Sequence, residues 1–134
     1  FKGIEFYNDS IATIPEACIA ALESIPECDS LILGGFNRGI AYEELIQYLI
    51  SSNVSNLILM GEVGQILKNT LRKYNHHKKV FDAYNIQEAV EMAYKNTKKG
   101  KACLLSPAAS SYDQFKNFED RGDQFKAAVR DLGA

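Results

Sequence analysis

The run Gly34-Gly35-Phe36-Asn37-Arg38-Gly39 puts two glycines and a cation directly after an apolar stretch. An arginine so placed can grip a carboxylate through two parallel N–H bonds. The glycines invite a phosphate-loop reading. That pattern needs Lys and then Ser or Thr after its second glycine, and Ile40 and Ala41 stand there instead. The G-x-G-x-x-G spacing of a dinucleotide loop is also missing. Two readings stay open: a sharp strand-to-helix exit, and a loop that presents Arg38 to an anion.

Two further segments carry hydroxyls and a carboxylate. Thr13-Ile14-Pro15-Glu16 matches a helix capping box with proline in the first turn, which gives Thr13 a task as N-cap. A helix N-terminus also attracts anions, so a ligand role for Thr13 is compatible with capping. Asp9 and Ser10 precede it in the same loop. Ser106-Pro107-Ala108-Ala109-Ser110-Ser111 offers small side chains that let a ligand approach the backbone. No G-x-S-x-G elbow is present and both histidines lie elsewhere, so its serines read as hydrogen-bond donors rather than nucleophiles.

Other motifs read as structure. His76-His77 are adjacent, share no helix face, and are flanked by Lys73, Lys78 and Lys79; they are expected in a solvated basic turn. Arg121-Gly122-Asp123 matches an adhesion tripeptide but is read as a helix boundary. Cys18, Cys28 and Cys103 are odd in number and form no C-x-x-C pair, which argues against a disulfide framework and a zinc site. Cys18 and Cys103 are expected as small core residues in a reducing compartment.

The elements that must position these loops alternate. Apolar runs at 4–7, 30–33, 54–60, 79–81 and 102–105 read as strands. Helical stripes fall between them, at Ile14, Ala17, Cys18, Ala21, Leu22 and Ile25, then at Tyr42, Leu45, Ile46, Leu49 and Ile50. A third helix is expected from about Gly64, a fourth after Asn85 with Glu88 in the capping-box position, and a last one through Phe125, Ala128, Val129 and Leu132. Strand–helix alternation without hairpin dipeptides predicts a mainly parallel sheet with helices on both faces. Such sheets bind ligands outside the carboxyl ends of their strands, which singles out residues 8–13, 34–39, 61–64, 82–85 and 106–111.

The 134 residues, 46% hydrophobic and 24% charged, fit one soluble globular domain over 1–134. A net charge of -2 speaks against nucleic-acid binding through a basic field, and no apolar run reaches the roughly 18–20 residues of a membrane span. Phe1 in place of Met suggests a processed chain or part of a longer one.

Asn8-Asp9-Ser10-Ile11-Ala12-Thr13 resembles the loop that opens the third domain of the Mur ligases. The far more specific run Ser106-Pro107-Ala108-Ala109-Ser110-Ser111-Tyr112-Asp113-Gln114-Phe115-Lys116-Asn117-Phe118-Glu119-Asp120-Arg121-Gly122-Asp123 resembles the C-terminal signature of that family's D-glutamate-adding branch. The resemblance covers the whole chain. It implies a three-layer Rossmann-like domain with a mostly parallel sheet of about five or six strands. It also implies an ATP-dependent amide-forming reaction. ATP phosphorylates the carboxylate of UDP-N-acetylmuramoyl-L-alanine, and the amine of D-glutamate attacks the acyl phosphate. ATP and Mg2+ would be bound mainly by a central domain absent from this chain, and none is expected here alone.

The family pattern further implies that Thr13, Arg38, Ser111 and Phe118 hold D-glutamate and that Asp9 faces the nucleotide. No catalytic residue and no metal ligand is implied in this chain. Arg38 stands where many members have Lys, and Ile11 where some have Lys. A monomeric protein of the bacterial cytoplasm is expected. The other reading is a free-standing, non-catalytic α/β module that binds a small anion or a protein.

Overall fold

The computed structural model describes residues 1–133. Five strands alternate with five helices: β1 (Glu5–Asn8), α1 (Pro15–Ser24), β2 (Cys28–Gly34), α2 (Glu43–Ser51), β3 (Asn56–Met60), α3 (Gly61–Leu71), β4 (Lys79–Asp82), α4 (Ile86–Asn96), β5 (Ala102–Leu105) and α5 (Phe118–Asp131). All the strand pairings of the sheet are parallel, in the order β1-β5-β2-β3-β4. The inner strands β2, β3 and β5 are buried along their whole length, whereas β1 and β4 at the edges are partly exposed. A strand covered on both faces needs apolar residues on both, which is why these strands read as continuous apolar runs rather than alternating ones.

Alternate side chains divide the core. Leu31, Leu33, Leu57, Leu59 and Leu104 point to one face and pack with Cys18 and Leu22 of α1, Leu45 and Leu49 of α2, and Val63 and Leu67 of α3. Ile32, Ile58, Cys103 and Leu105 point to the other and pack with Ala89 and Val90 of α4 and Phe125 and Ala128 of α5. The three-layer arrangement expected from the sequence is therefore present, with five strands. Cys18, Cys28 and Cys103 are free and buried. Burial pushes the Cys18 and Cys28 thiols up to about 12 and raises Cys103 well above its ordinary value.

Helix starts correct the sequence reading in two places. Ile14, not Thr13, is the N-cap of α1, and no side chain caps it. Pro15 occupies the first helical position, where its fixed φ suits the helix and its missing N–H costs nothing, and this moves the helix start one residue on. Helix α3 starts at Gly61 rather than Gly64, immediately after β3. Gly61 makes that abrupt turn with φ +63. Asn85 does cap α4, accepting from the Glu88 N–H at 2.8 Å. The Glu88 carboxylate reaches back to the Tyr84 N–H at 3.2 Å, one residue earlier than a standard capping box.

The basic turn is only partly solvated. Lys78 reaches the Ser52 and Val54 carbonyls, each at 2.6 Å, while His76 Nδ1 accepts from the Lys78 N–H at 3.0 Å. Burial lowers the Lys78 pKa. Among the described residues no three His, Cys, Asp or Glu side chains come together as a metal group. No helix among them is long and apolar enough to cross a membrane.

Candidate functional site at the switch between β5 and its neighbours

Chain direction places the site. Strands β1, β2 and β3 each lead into a helix on the first face of the sheet. Strand β5 lies between β1 and β2 but leads into α5 on the opposite face. The loops that follow β5 and its two neighbours therefore diverge, and a crevice opens outside the carboxyl ends of these strands. That is where open parallel sheets bind ligands. Residues 9–14, 35–42 and 106–117 form its walls. They contain Asp9, Thr13, Arg38 and Ser111, and Phe118 is the first residue of α5.

The β2 loop is held close to the β5 loop by backbone contact. Gly34 donates to the Pro107 carbonyl at 2.9 Å, and Phe36 donates to the Ser110 carbonyl at 2.9 Å in an isolated antiparallel bridge. A Cβ on Gly34 would lie 2.0 Å from the Met60 carbonyl oxygen, and one on Gly35 would lie 2.4 Å from that of Ser110. The glycine pair thus makes the sharp exit that brings Arg38 forward. Arg38 is exposed, and its Nη2 donates to the Thr13 carbonyl at 3.2 Å. The structure so brings Arg38 and Thr13 together across two loops.

Asp9 lies on the floor. Its N–H donates to the Leu105 carbonyl at 2.7 Å, and its carboxylate accepts from the Ser106 hydroxyl at 2.8 Å. This bond fixes the direction of a half-buried carboxylate at the mouth of the crevice. Ser111 is only 3% exposed, and its carbonyl accepts from the Phe115 N–H at 3.0 Å, shaping the turn into α5. Phe118 is half-buried at the first position of α5, and its carbonyl accepts from the Ser10 hydroxyl at 2.6 Å. The N–H groups of a first helical turn have no partner within the helix, and Asn117 supplies one by accepting from Asp120 at 2.7 Å. A cleft between the β1 loop and α5 is lined by Ser10, Ile11, Phe118, Gly122 and Lys126.

Three supporting residues were not legible as such. Ala108 has φ +57 without being glycine and is fully buried. It is pinned from both sides: its N–H donates to the Ala12 carbonyl at 2.9 Å, and its carbonyl accepts from the Tyr42 hydroxyl at 2.7 Å. Strained backbone held this way clusters at functional sites. Tyr42 read as part of an apolar helical stripe, yet it is the N-cap residue of α2, and burial raises its pKa. Arg121 read as a polar helix boundary. It lies inside α5, is 1% exposed, and donates from Nε to the Ser10 hydroxyl at 2.9 Å and from Nη2 to the Ser10 carbonyl at 2.7 Å. The signal was spacing: Arg121, Phe125, Ala128 and Leu132 share one helical face.

No family model matches the chain. It is 42% identical over 132 residues to the UDP-N-acetylmuramoylalanine–D-glutamate ligase of Caldanaerobacter subterraneus subsp. tengcongensis, covering 98% of this chain and 29% of that protein. It is 43% identical over 131 residues to the ligase of the same name from Pediococcus pentosaceus, covering 98% and 28%. The Porphyromonas gingivalis ligase is 43% identical over 133 residues, with 98% and 28% covered. Among solved structures, the UDP-N-acetylmuramate–alanine ligase of Thermotoga maritima superposes with a TM-score of 0.57 at 11% identity, over 98% of this chain and 28% of that one. The murein peptide ligase of Psychrobacter arcticus gives 0.58 at 12%, over 96% and 28%. These two structures speak for the fold alone. The chain spans less than a third of the length of the relatives it matches. At this identity over nearly every residue, it is a homologue of the C-terminal part of UDP-N-acetylmuramoylalanine–D-glutamate ligases, in the Mur ligase family.

Proposed function

We propose that residues 1–134 are the amino-acid-binding domain of an ATP-dependent ligase that adds D-glutamate to UDP-N-acetylmuramoyl-L-alanine in peptidoglycan precursor synthesis. The observation that supports it most is the meeting, at one switch point, of the loops carrying Thr13, Arg38 and Ser111 with the N-terminus of α5 at Phe118. D-Glutamate has two carboxylates and one amine. Arg38, beside Thr13, takes one carboxylate. The Ser111 hydroxyl and the Phe118 N–H donate to the other end. Neither contact involves the amine, which stays free to attack an acyl phosphate.

The chain has no phosphate loop of its own. ATP and Mg2+ belong with a segment of the longer protein, as does UDP-N-acetylmuramoyl-L-alanine, and ATP supplies the phosphoryl group that activates the acyl carboxylate. Asp9, oriented by Ser106, faces the nucleotide when the domains close. The residues present do not fit a metal, since no acidic cluster is found among those described. The work of this domain is therefore to bind and orient one nucleophile and, on closure, to exclude water from the acyl phosphate. A monomer in the bacterial cytoplasm fits this task.

The test is phosphate release by the full-length protein given ATP, Mg2+ and UDP-N-acetylmuramoyl-L-alanine. Release that depends on D-glutamate and yields the D-glutamyl product supports the assignment. A protein that is active with another amino acid and silent with D-glutamate refutes it.

A further inference from the structure

Arg121 heads the fully buried side chains in size, at 1% exposed. Both groups it bonds to, the Ser10 hydroxyl and the Ser10 carbonyl, are neutral. The ion pairs among the described residues are Lys68–Asp82 and Lys126–Asp123, so no described carboxylate lies within ion-pair distance of Arg121. Burial pushes its pKa down to about 10, against an opposing pull from the Asp113 charge, and it remains a cation at neutral pH. A buried charge without a counter-charge is costly, and an apolar side chain of similar size would stabilise the fold at least as well. The fold alone gives no reason for an arginine here.

Its surroundings do. The Ser10 hydroxyl that accepts from Nε in turn donates to the Phe118 carbonyl at 2.6 Å. On another side, Nη1 would lie 3.3 Å from a Cβ on Gly35, whose neighbour Phe36 is bonded to Ser110. One guanidinium thus bonds to the loop after β1, lies beside Gly35 in the loop after β2, and is linked through Ser10 to Phe118 at the start of α5. We propose that Arg121 is a positioning residue that also sets substrate choice: it holds these loops in register and supplies a positive field at the start of α5, which favours a dicarboxylic amino acid over its neutral amide. Electrostatic attraction is strongest where water is excluded, so the distal carboxylate of the ligand would supply a close ion-pair partner, where Asp113 acts on Arg121 only from beyond ion-pair distance. An amide of the same shape would leave the cation without that partner.

This rests on the ligase reading, and the experiment separates the two. The full-length protein is assayed with D-glutamate and with D-glutamine, its neutral isostere, in four forms: wild type, Arg121→Met, Arg121→Gln and Arg121→Lys. KM for ATP and the melting temperature are recorded alongside. In the charge-removing variants, the kcat/KM preference for D-glutamate over D-glutamine should fall about tenfold, with KM for D-glutamate rising and KM for ATP unchanged. Arg121→Lys, which keeps the charge but loses the fork, should keep that preference while raising KM for both amino acids. A wild type that does not use D-glutamate refutes the ligase reading and the inference with it. A wild type that uses it, with the preference intact in both charge-removing variants, overturns the inference alone. Loss of folding in both of those variants assigns Arg121 to the fold and equally overturns it.

Discussion

At the amino ends of the strands, Ser30, Asn56 and Thr97 are buried and bond one another. The Asn56 amide donates to Ser30 at 3.0 Å, Ser30 pairs with Thr97 at 2.6 Å, and Thr97 donates to the Ala93 carbonyl at 2.6 Å. The second Asn56 bond goes to the Asn96 carbonyl at 3.0 Å, which ties β3 to the end of α4. Asp29 accepts from the Lys98 N–H at 2.9 Å beside them. At the carboxyl ends the pattern is reversed. Arg121 is buried without an ion pair, Ala108 is held at φ +57, and the exposed large apolar residues Ile11, Ile14, Phe36, Tyr84 and Tyr112 all stand on loops of that edge. One edge ties its buried polar groups to one another. The other leaves the Arg38 cation and several large apolar side chains exposed, where a further molecule or domain can reach them.

This contrast is tested most severely at its hinge. Gly34→Ala would place a Cβ 2.0 Å from the Met60 carbonyl at φ +115. Steric overlap and backbone strain together should cost about 3 kcal/mol or more, read as a lower urea midpoint. An unchanged midpoint would mean that the end of β2 does not meet β3 at Met60 as described.

Asn56→Ala probes the closed edge. It removes both Asn56 bonds and leaves the Asn96 carbonyl and the Ser30 hydroxyl each short of a partner, at about 1–3 kcal/mol. In the full-length protein KM for D-glutamate should not move. Stability lost without function is the signature of the amino edge, and a large KM effect would break the comparison.

Arg38→Ala probes the open edge in the reverse sense. Arg38 is exposed and its one bond reaches a carbonyl, so the urea midpoint should shift by less than about 0.5 kcal/mol. Loss of a charge-assisted contact to a carboxylate should raise KM for D-glutamate by tenfold or more, which corresponds to about 1.5–3 kcal/mol. A variant with wild-type KM would move the carboxylate contact away from this loop.

What the sequence could show followed how far apart the interacting residues lie in the chain. The inner strands were legible because burial on both faces demands apolar runs such as Leu31-Ile32-Leu33. The Asn85 cap was legible because its partner is three residues away. Thr13 was misread as a cap for an equally local reason, since Pro15 at the first helical position outweighs the capping-box pattern. Arg121 and Tyr42 were missed because their partners Ser10 and Ala108 lie 111 and 66 residues away, and only the sheet order brings them together. The residues taken from the family pattern fall on loops that the topology gathers, save Phe118, which opens α5. The residues that hold those loops in place had to be found in three dimensions.

The smallest expected effect separates the switch point from the carboxyl edge at large. Lys68 and Asp82 pair at 2.6 Å at the end of β4, with β3 lying between this strand and β2. Both side chains are substantially exposed, at 31% and 47%. Such pairs contribute about 0.2–1 kcal/mol, and less at high salt. Lys68→Ala should therefore lower stability within that range, with the effect fading as salt is added, and leave KM for D-glutamate unchanged. If the carboxyl edge served as one continuous binding surface, removing a cation from it would weaken binding of a dicarboxylic amino acid even here. The loops after β3 and β4 also diverge, to α3 and α4 on opposite faces, but Lys68 and Asp82 stand there two strands beyond β2 and away from Thr13 and Arg38, so a cation at that place should not be felt. A severalfold rise in KM at Lys68 would spread the site across β3 and β4 and detach it from the crevice between β1, β5 and β2.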